Sequence, residues 1–151
     1  MATASFRTPS PPPAALWLGG SGLLPFVGLA LATWLVPAET VPAAVHAVVA
    51  YGAVILSFVG GAHWGFGSKG PGSAGLLAAS VVPSLLGWVA LLLPPVPGLL
   101  LLAAGFAAVL LVDREAVSAA LAPPWWMRLR LPLSLTVAAL LLLAVAGVLL
   151  R

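Results

Sequence analysis

The chain has no cysteine. Disulfides, thiolate metal sites and cysteine nucleophiles are therefore excluded. Acidic residues are almost as scarce, with Glu39, Asp113 and Glu115 making up the whole set. They are too few and too scattered for a carboxylate pair at catalytic spacing or for an acidic calcium loop. Histidine is confined to His46 and His63, which one helix would hold about 25 Å apart at 1.5 Å per residue. The two cannot ligate one metal or one haem. There is no Ser/His/Asp order, and no metal-ligand cluster. The one Gly-rich loop, GSKGPG, follows no strand and so reads as a turn rather than a phosphate cradle. No catalytic residues, metal or cofactor are expected, and no nucleic-acid partner.

Charge as a whole is also sparse. Only 6% of residues are charged, against about a quarter in soluble domains. A soluble fold could not cover its surface with so few. What is present instead is 62% hydrophobic residues and a mean hydropathy of +1.19, so lipid must be the solvent. The expected class is an all-α membrane protein, a bundle of five transmembrane helices in one domain.

Residues 1–13 are polar and Pro-rich and read as a disordered tail carrying Arg7. Residues 14–151 form the transmembrane domain, with spans expected at about 14–36, 42–66, 74–93, 98–120 and 131–150. The first span contains Gly19, Gly20, Gly22 and Pro25, which predict a kink. A cleaved signal peptide is its competing reading. In the fourth, Leu99–Val112 is too short to cross alone, so the helix is extended through Asp113 towards Ala120. A re-entrant hairpin is the rival, and it would need protein cover at membrane depth. Ala122–Arg130 reads as a Pro-broken interfacial segment, with Trp125 and Trp126 as anchors at headgroup level.

Arg7, Lys69, Arg114, Arg128 and Arg130 fall on one side of this topology, and Glu39 and the terminal Arg151 on the other. Short loops rich in Lys and Arg stay inside. The N-terminus is therefore expected in the cytoplasm, the C-terminus on the opposite side, and the protein in the bacterial inner membrane as a multi-pass protein.

The second span holds the most unusual stretch, YGAVILSFVGGAHWG at Tyr51–Gly65. At helical spacing Ala50, Ala53, Ser57 and Gly60 share a stripe with His46 and Trp64, and Gly61 lies beside it. Ser80, Ser84 and Gly87 form a matching stripe in the third span. Small residues let two helix backbones approach closely, and in lipid such packing replaces the missing hydrophobic drive. The stripes serve packing within the bundle, a homo-oligomer, or contact with other subunits; the sequence leaves these open.

This stretch resembles the signature of the transmembrane protein 69 family, small multi-helix membrane proteins of bacteria and mitochondria. The likeness extends to VVPSLLGWVALLL at Val81–Leu93. It also takes in Asp113, Pro124, Trp125, Trp126, Leu129, Arg130 and Ser134, so it covers most of the chain beyond the tail. Trp126 and Ser134 replace the Tyr and Thr of the family pattern. The resemblance implies a membrane fold and supplies no activity.

Asp113 is the strongest candidate for chemistry, because a carboxylate within a membrane helix is costly and needs a partner. His63, Arg128 and Arg130 are available on its side. With Trp64 they make a candidate polar cluster at the cytoplasmic end. The blander reading places Asp113 at the interface, paired with an arginine, beside a solvated His63. Arg128 and Arg130 with the two tryptophans also suit an anionic lipid headgroup. The function expected is that of a non-catalytic accessory or assembly subunit. The alternatives are an oligomeric small-solute or proton transporter using Ser57, Ser80, Ser84, His63 and Asp113, and a lipid, quinone or haem binder.

Overall fold

The computed structural model describes residues 9–69 and 74–151. Most of the Pro-rich tail with Arg7, and the Gly70–Ser73 part of the second loop, lie outside the described residues. Among the described residues six α-helices make five membrane-length segments. They are α1 (Pro13–Ser21), α2 (Leu24–Leu35), α3 (Val41–Gly67), α4 (Ala74–Leu92), α5 (Pro95–Ser118) and α6 (Trp126–Leu149). A 3-10 turn at Ala38–Thr40 leads into α3. No strand occurs among the described residues.

The first span is broken rather than smoothly bent. α1 ends at Ser21, α2 begins at Leu24, and Pro25 sits in the first turn of α2, where a missing N–H costs nothing. The Tyr51 hydroxyl of α3 donates to the Gly22 carbonyl at 3.0 Å, which ties the break to the central helix. α5 starts at Pro95, three residues before the expected boundary. Prolines in a first turn fit the helix, because those N–H groups have no intrahelical partner. The segment Pro95–Ser118 is long and apolar enough to cross, and Asp113 lies within it. α6 also starts early, at Trp126 instead of Leu131, and runs through Pro132. The segment read as irregular interface is therefore partly helix.

α5 closes with a Schellman turn. The N–H of Leu121 bonds the Ala116 carbonyl and that of Ala120 bonds the Val117 carbonyl. Ala120 takes the left-handed position with φ 56°, where glycine is usual. Ala120→Gly is expected to stabilise the protein by about 0.5–1 kcal/mol by removing the Cβ strain. Thermal unfolding in detergent would check it, and an unchanged or lower midpoint would refute the strain argument.

α3 is the hub. It packs against α2, α4 and α5, and α6 closes the bundle against α2 and α5. The interior is filled by Phe26, Val48, Leu56, Leu99, Leu102, Phe106 and Leu141, all fully buried. Phe26 sits edge-on to both Tyr51 and Phe106, with centroids 4.9 Å and 6.0 Å away. The backbones of α3 and α4 approach each other closely at two glycines. A Cβ on Gly60 would stand 2.5 Å from the Ser80 carbonyl oxygen, and one on Gly87 would stand 3.0 Å from that of Ala53. At the far end Arg151 donates to the carbonyls of Thr33 and Val36, at 3.2 Å and 2.7 Å, and caps the end of α2.

Candidate functional site

The site grows from one costly residue. Asp113 lies five residues before the end of α5, about 7 Å into the helix at 1.5 Å per residue, and its side chain is completely buried. An ionised carboxylate only accepts hydrogen bonds, so burial demands donors from neighbouring helices. Three arrive. His63 Nε2 of α3 donates to Oδ1 at 2.8 Å, and Trp126 Nε1 of α6 donates to the same oxygen. Arg130 Nε of α6 donates to Oδ2 at 3.0 Å. One carboxylate thus ties three spans together through charge-assisted bonds.

Helical register explains how α6 supplies two of these donors. Trp126, Arg130 and Ser134 follow at intervals of four and so share one face. The early start of α6 at Trp126 sets that phase, and the Schellman turn delivers the helix to α5. Aromatic groups roof the cluster at the helix ends. Phe66 packs edge-on against Trp126 with centroids 5.0 Å apart, and Lys69 Nζ lies 5.5 Å from the Phe66 ring centre.

The cluster leaves unused capacity. His63 Nδ1, Arg130 Nη2 and Ser134 Oγ are buried without any hydrogen-bond partner. An unmade bond to a buried polar atom costs about 1–3 kcal/mol, so three together need a reason. Arg130 and Ser134 line a cavity of about 310 Å³ between the α1–α2 break, α3 and α6. Its other walls are apolar or backbone, among them Gly19, Phe26, Ile55, Ala62, Phe106 and Leu133, with Trp126 beside Arg130. Leu18 and Phe58 line it too and are 74% and 75% exposed, so the cavity opens sideways towards lipid between α1 and α3. A larger hollow of about 420 Å³ lies between α4 and α5, but its one titratable lining residue, Glu115, is exposed.

Of the five residues expected to cluster, the structure brings together His63, Asp113 and Arg130. Trp64 instead points outward, 55% exposed, because it is one residue and about 100° round the helix from His63. Arg128 is exposed as well. Asp113 does pair with an arginine, but it is buried rather than interfacial, and His63 is buried rather than solvated. Trp126, expected as an anchor, is a member of the cluster, while Trp125 packs beside it with centroids 5.9 Å apart. In the small-residue stripes Ala53, Gly60, Ser80 and Gly87 are buried between α3 and α4, and Ala50 and Ser57 are half-buried. Gly61 and Ser84 face outward. Ser80 Oγ is spent on the Leu77 carbonyl at 2.6 Å. Ser80 and Ser84 therefore do not join His63 and Asp113 in a polar path.

Sequence reasoning did not find Ser134 as a site residue, nor the cavity. The spacing of Trp126, Arg130 and Ser134 was the available signal for the first. Nothing local could signal the second, since its walls come from five helices. Among the described residues no three His, Asp or Glu side chains converge on a point where a metal could sit.

Comparison with known proteins adds kinship. Residues 11–146 match the model of the family described as "Protein of unknown function (DUF3429)". Transmembrane protein 69 of Xenopus tropicalis is 46% identical over 85 residues, which are 54% of this chain and 33% of that protein. The chain thus matches about a third of the length of that curated relative. No solved structure matches.

Proposed function

This chain belongs to the DUF3429 family of multi-pass helical membrane proteins, and we propose that it binds an apolar, lipid-derived molecule in the cavity beside the Asp113 cluster. The protein acts by holding this molecule, without catalysing a reaction. The supporting observation is that a hollow open towards lipid and almost wholly apolar ends on Arg130 and Ser134, each with a buried atom lacking a partner. Sites for small molecules have this make-up, apolar walls with a few polar groups that set orientation. At roughly 30 Å³ per water-sized volume, about 310 Å³ takes a head and the first few carbons of a chain. The remainder would extend into the bilayer.

Ala62 lines the cavity from α3 and is half-buried. Ala62→Trp is expected to fill it while leaving the Asp113 cluster intact. Purification in native-membrane discs followed by extraction and mass spectrometry should recover a molecule enriched over bulk lipid with the parent protein. The plugged variant should lose that enrichment. Equal recovery from both would sink the proposal.

We propose the bacterial inner membrane as its location, with the N-terminus in the cytoplasm, a reading supported by Lys69, Arg114, Arg128 and Arg130 near the cluster end. A second reading is an accessory subunit of a larger complex or of a homo-oligomer. Gly61 and Gly65, four apart on the outer face of α3, favour it, since a Cβ on either would meet nothing within 4 Å. Blue-native electrophoresis of gently solubilised membranes separates the cases. A heavy band with constant partners supports the subunit, a band of a few copies the oligomer, and a band of one copy neither.

A further inference from the structure

We infer that the molecule held in this cavity carries a neutral carbonyl oxygen, of the quinone or ester kind, placed against Arg130 and Ser134. The inference rests on the binding proposed above and names the chemistry of the bound head. Arg130 Nη2 is a donor with nothing to donate to, and Ser134 Oγ is a hydroxyl with no partner; the two residues are 7% and 1% exposed. They follow each other at an interval of four on α6, so they stack on the face that lines the cavity. Two adjacent donors beside an apolar slot match an oxygen acceptor attached to an apolar body.

Charge decides which acceptor. The guanidinium of Arg130 is already balanced by the Asp113 carboxylate 3.0 Å away. Arg128, Arg114 and Glu115 are exposed, and Lys69 is exposed over Phe66, so none of them contributes to the balance inside. The buried Arg130–Asp113 pair is therefore neutral as a unit. A carboxylate or phosphate head would bring an unbalanced charge into an apolar site, which is strongly unfavourable. A hydrocarbon would leave both donors unmet. A neutral carbonyl satisfies them and adds no charge.

The test titrates the full chain in lipid discs with four probes that share a ten-carbon chain and counts adducts by native mass spectrometry. The probes are a decyl-substituted benzoquinone, methyl decanoate, decanoic acid and decylbenzene. The expected result is saturable binding of the quinone, the ester or both, weakened about fivefold by Ser134→Ala, the effect of one neutral hydrogen bond, and abolished by Ala62→Trp. Whichever carbonyl binds more tightly identifies the source as a quinone or an acyl ester. Equal binding of decylbenzene would overturn the assigned head chemistry and leave the cavity's role standing. Tighter binding of decanoic acid would overturn neutrality in the same way. Failure of all four probes, or binding that survives Ala62→Trp, would remove both the inference and the binding role.

Discussion

Asp113→Ala is expected to be the most damaging single substitution in the chain. It leaves Arg130 buried with no counter-charge, and takes the acceptor from His63 and Trp126 at the same time. Removing one partner of a buried ion pair costs about 3–5 kcal/mol in soluble proteins. An arginine near a helix end can relieve part of that by reaching towards the headgroups, so about 2–3 kcal/mol is the expected loss here, close to the cost of arginine within a span. The variant should accumulate poorly and unfold at lower temperature in fluorescence-detected gel filtration. The double variant Asp113→Ala with Arg130→Met should recover much of this, because replacing both partners by apolar groups removes the orphaned charge. That pair also separates stability from function. The double variant should be present in the membrane yet hold no ligand. A double variant no better than Asp113→Ala would mean that the charge balance is not what stabilises the three-helix junction.

Gly60→Val should come second, at roughly 2 kcal/mol, within the usual range for overpacking. Its Cβ would stand 2.5 Å from the Ser80 carbonyl and 3.3 Å from two carbons of Pro83. Backbone and a proline ring cannot rotate away, so α3 and α4 must separate. The control is one residue on. Gly61→Val meets nothing within 4 Å of its Cβ, and should be within about 0.5 kcal/mol of the parent, as exposed positions usually are. Thermal unfolding of both variants in the same detergent decides the matter. Equal midpoints would contradict the close α3–α4 crossing. A large loss confined to Gly61→Val would contradict it too, and would point to the outer face of α3 as a contact between copies.

The five spans were legible because lipid imposes length and apolarity on each segment in turn, and both are local properties of the chain. Asp113 was legible for the same reason, since a carboxylate stands out in an apolar run. Its partners were not. Choosing Arg130 over Arg128 requires the rotational phase of α6, and that phase depends on where the helix begins. The prolines at 123 and 124 suggested a broken interfacial segment as far as Arg130, whereas the helix begins at Trp126 and tolerates Pro132 inside. Trp126 then looked like an interfacial anchor. With the true start, Trp126, Arg130 and Ser134 fall on one face and their roles follow.

The α3 stripe shows the same limit. Ala53, Gly60 and Gly61 are all small, but only the angle at which α4 crosses decides that Gly60 meets backbone while Gly61 meets nothing. The cavity was out of reach of the sequence altogether. It exists because α1 and α2 break at Gly22 and because Tyr51 pins that break to α3, a distance relation between segments that no single stretch encodes.

The central claim is that the hollow between the α1–α2 break, α3 and α6 is a binding site whose polar end is Arg130 with Ser134. The most direct measurement is a high-resolution cryo-electron microscopy structure of the protein in discs of its native lipids, made large enough by a bound antibody fragment. The account predicts continuous density entering between Leu18 and Phe58 and ending within hydrogen-bond distance of Arg130 Nη2 and Ser134 Oγ. A cavity collapsed by closure of α1 onto α6, with both groups bonded to protein, would contradict it.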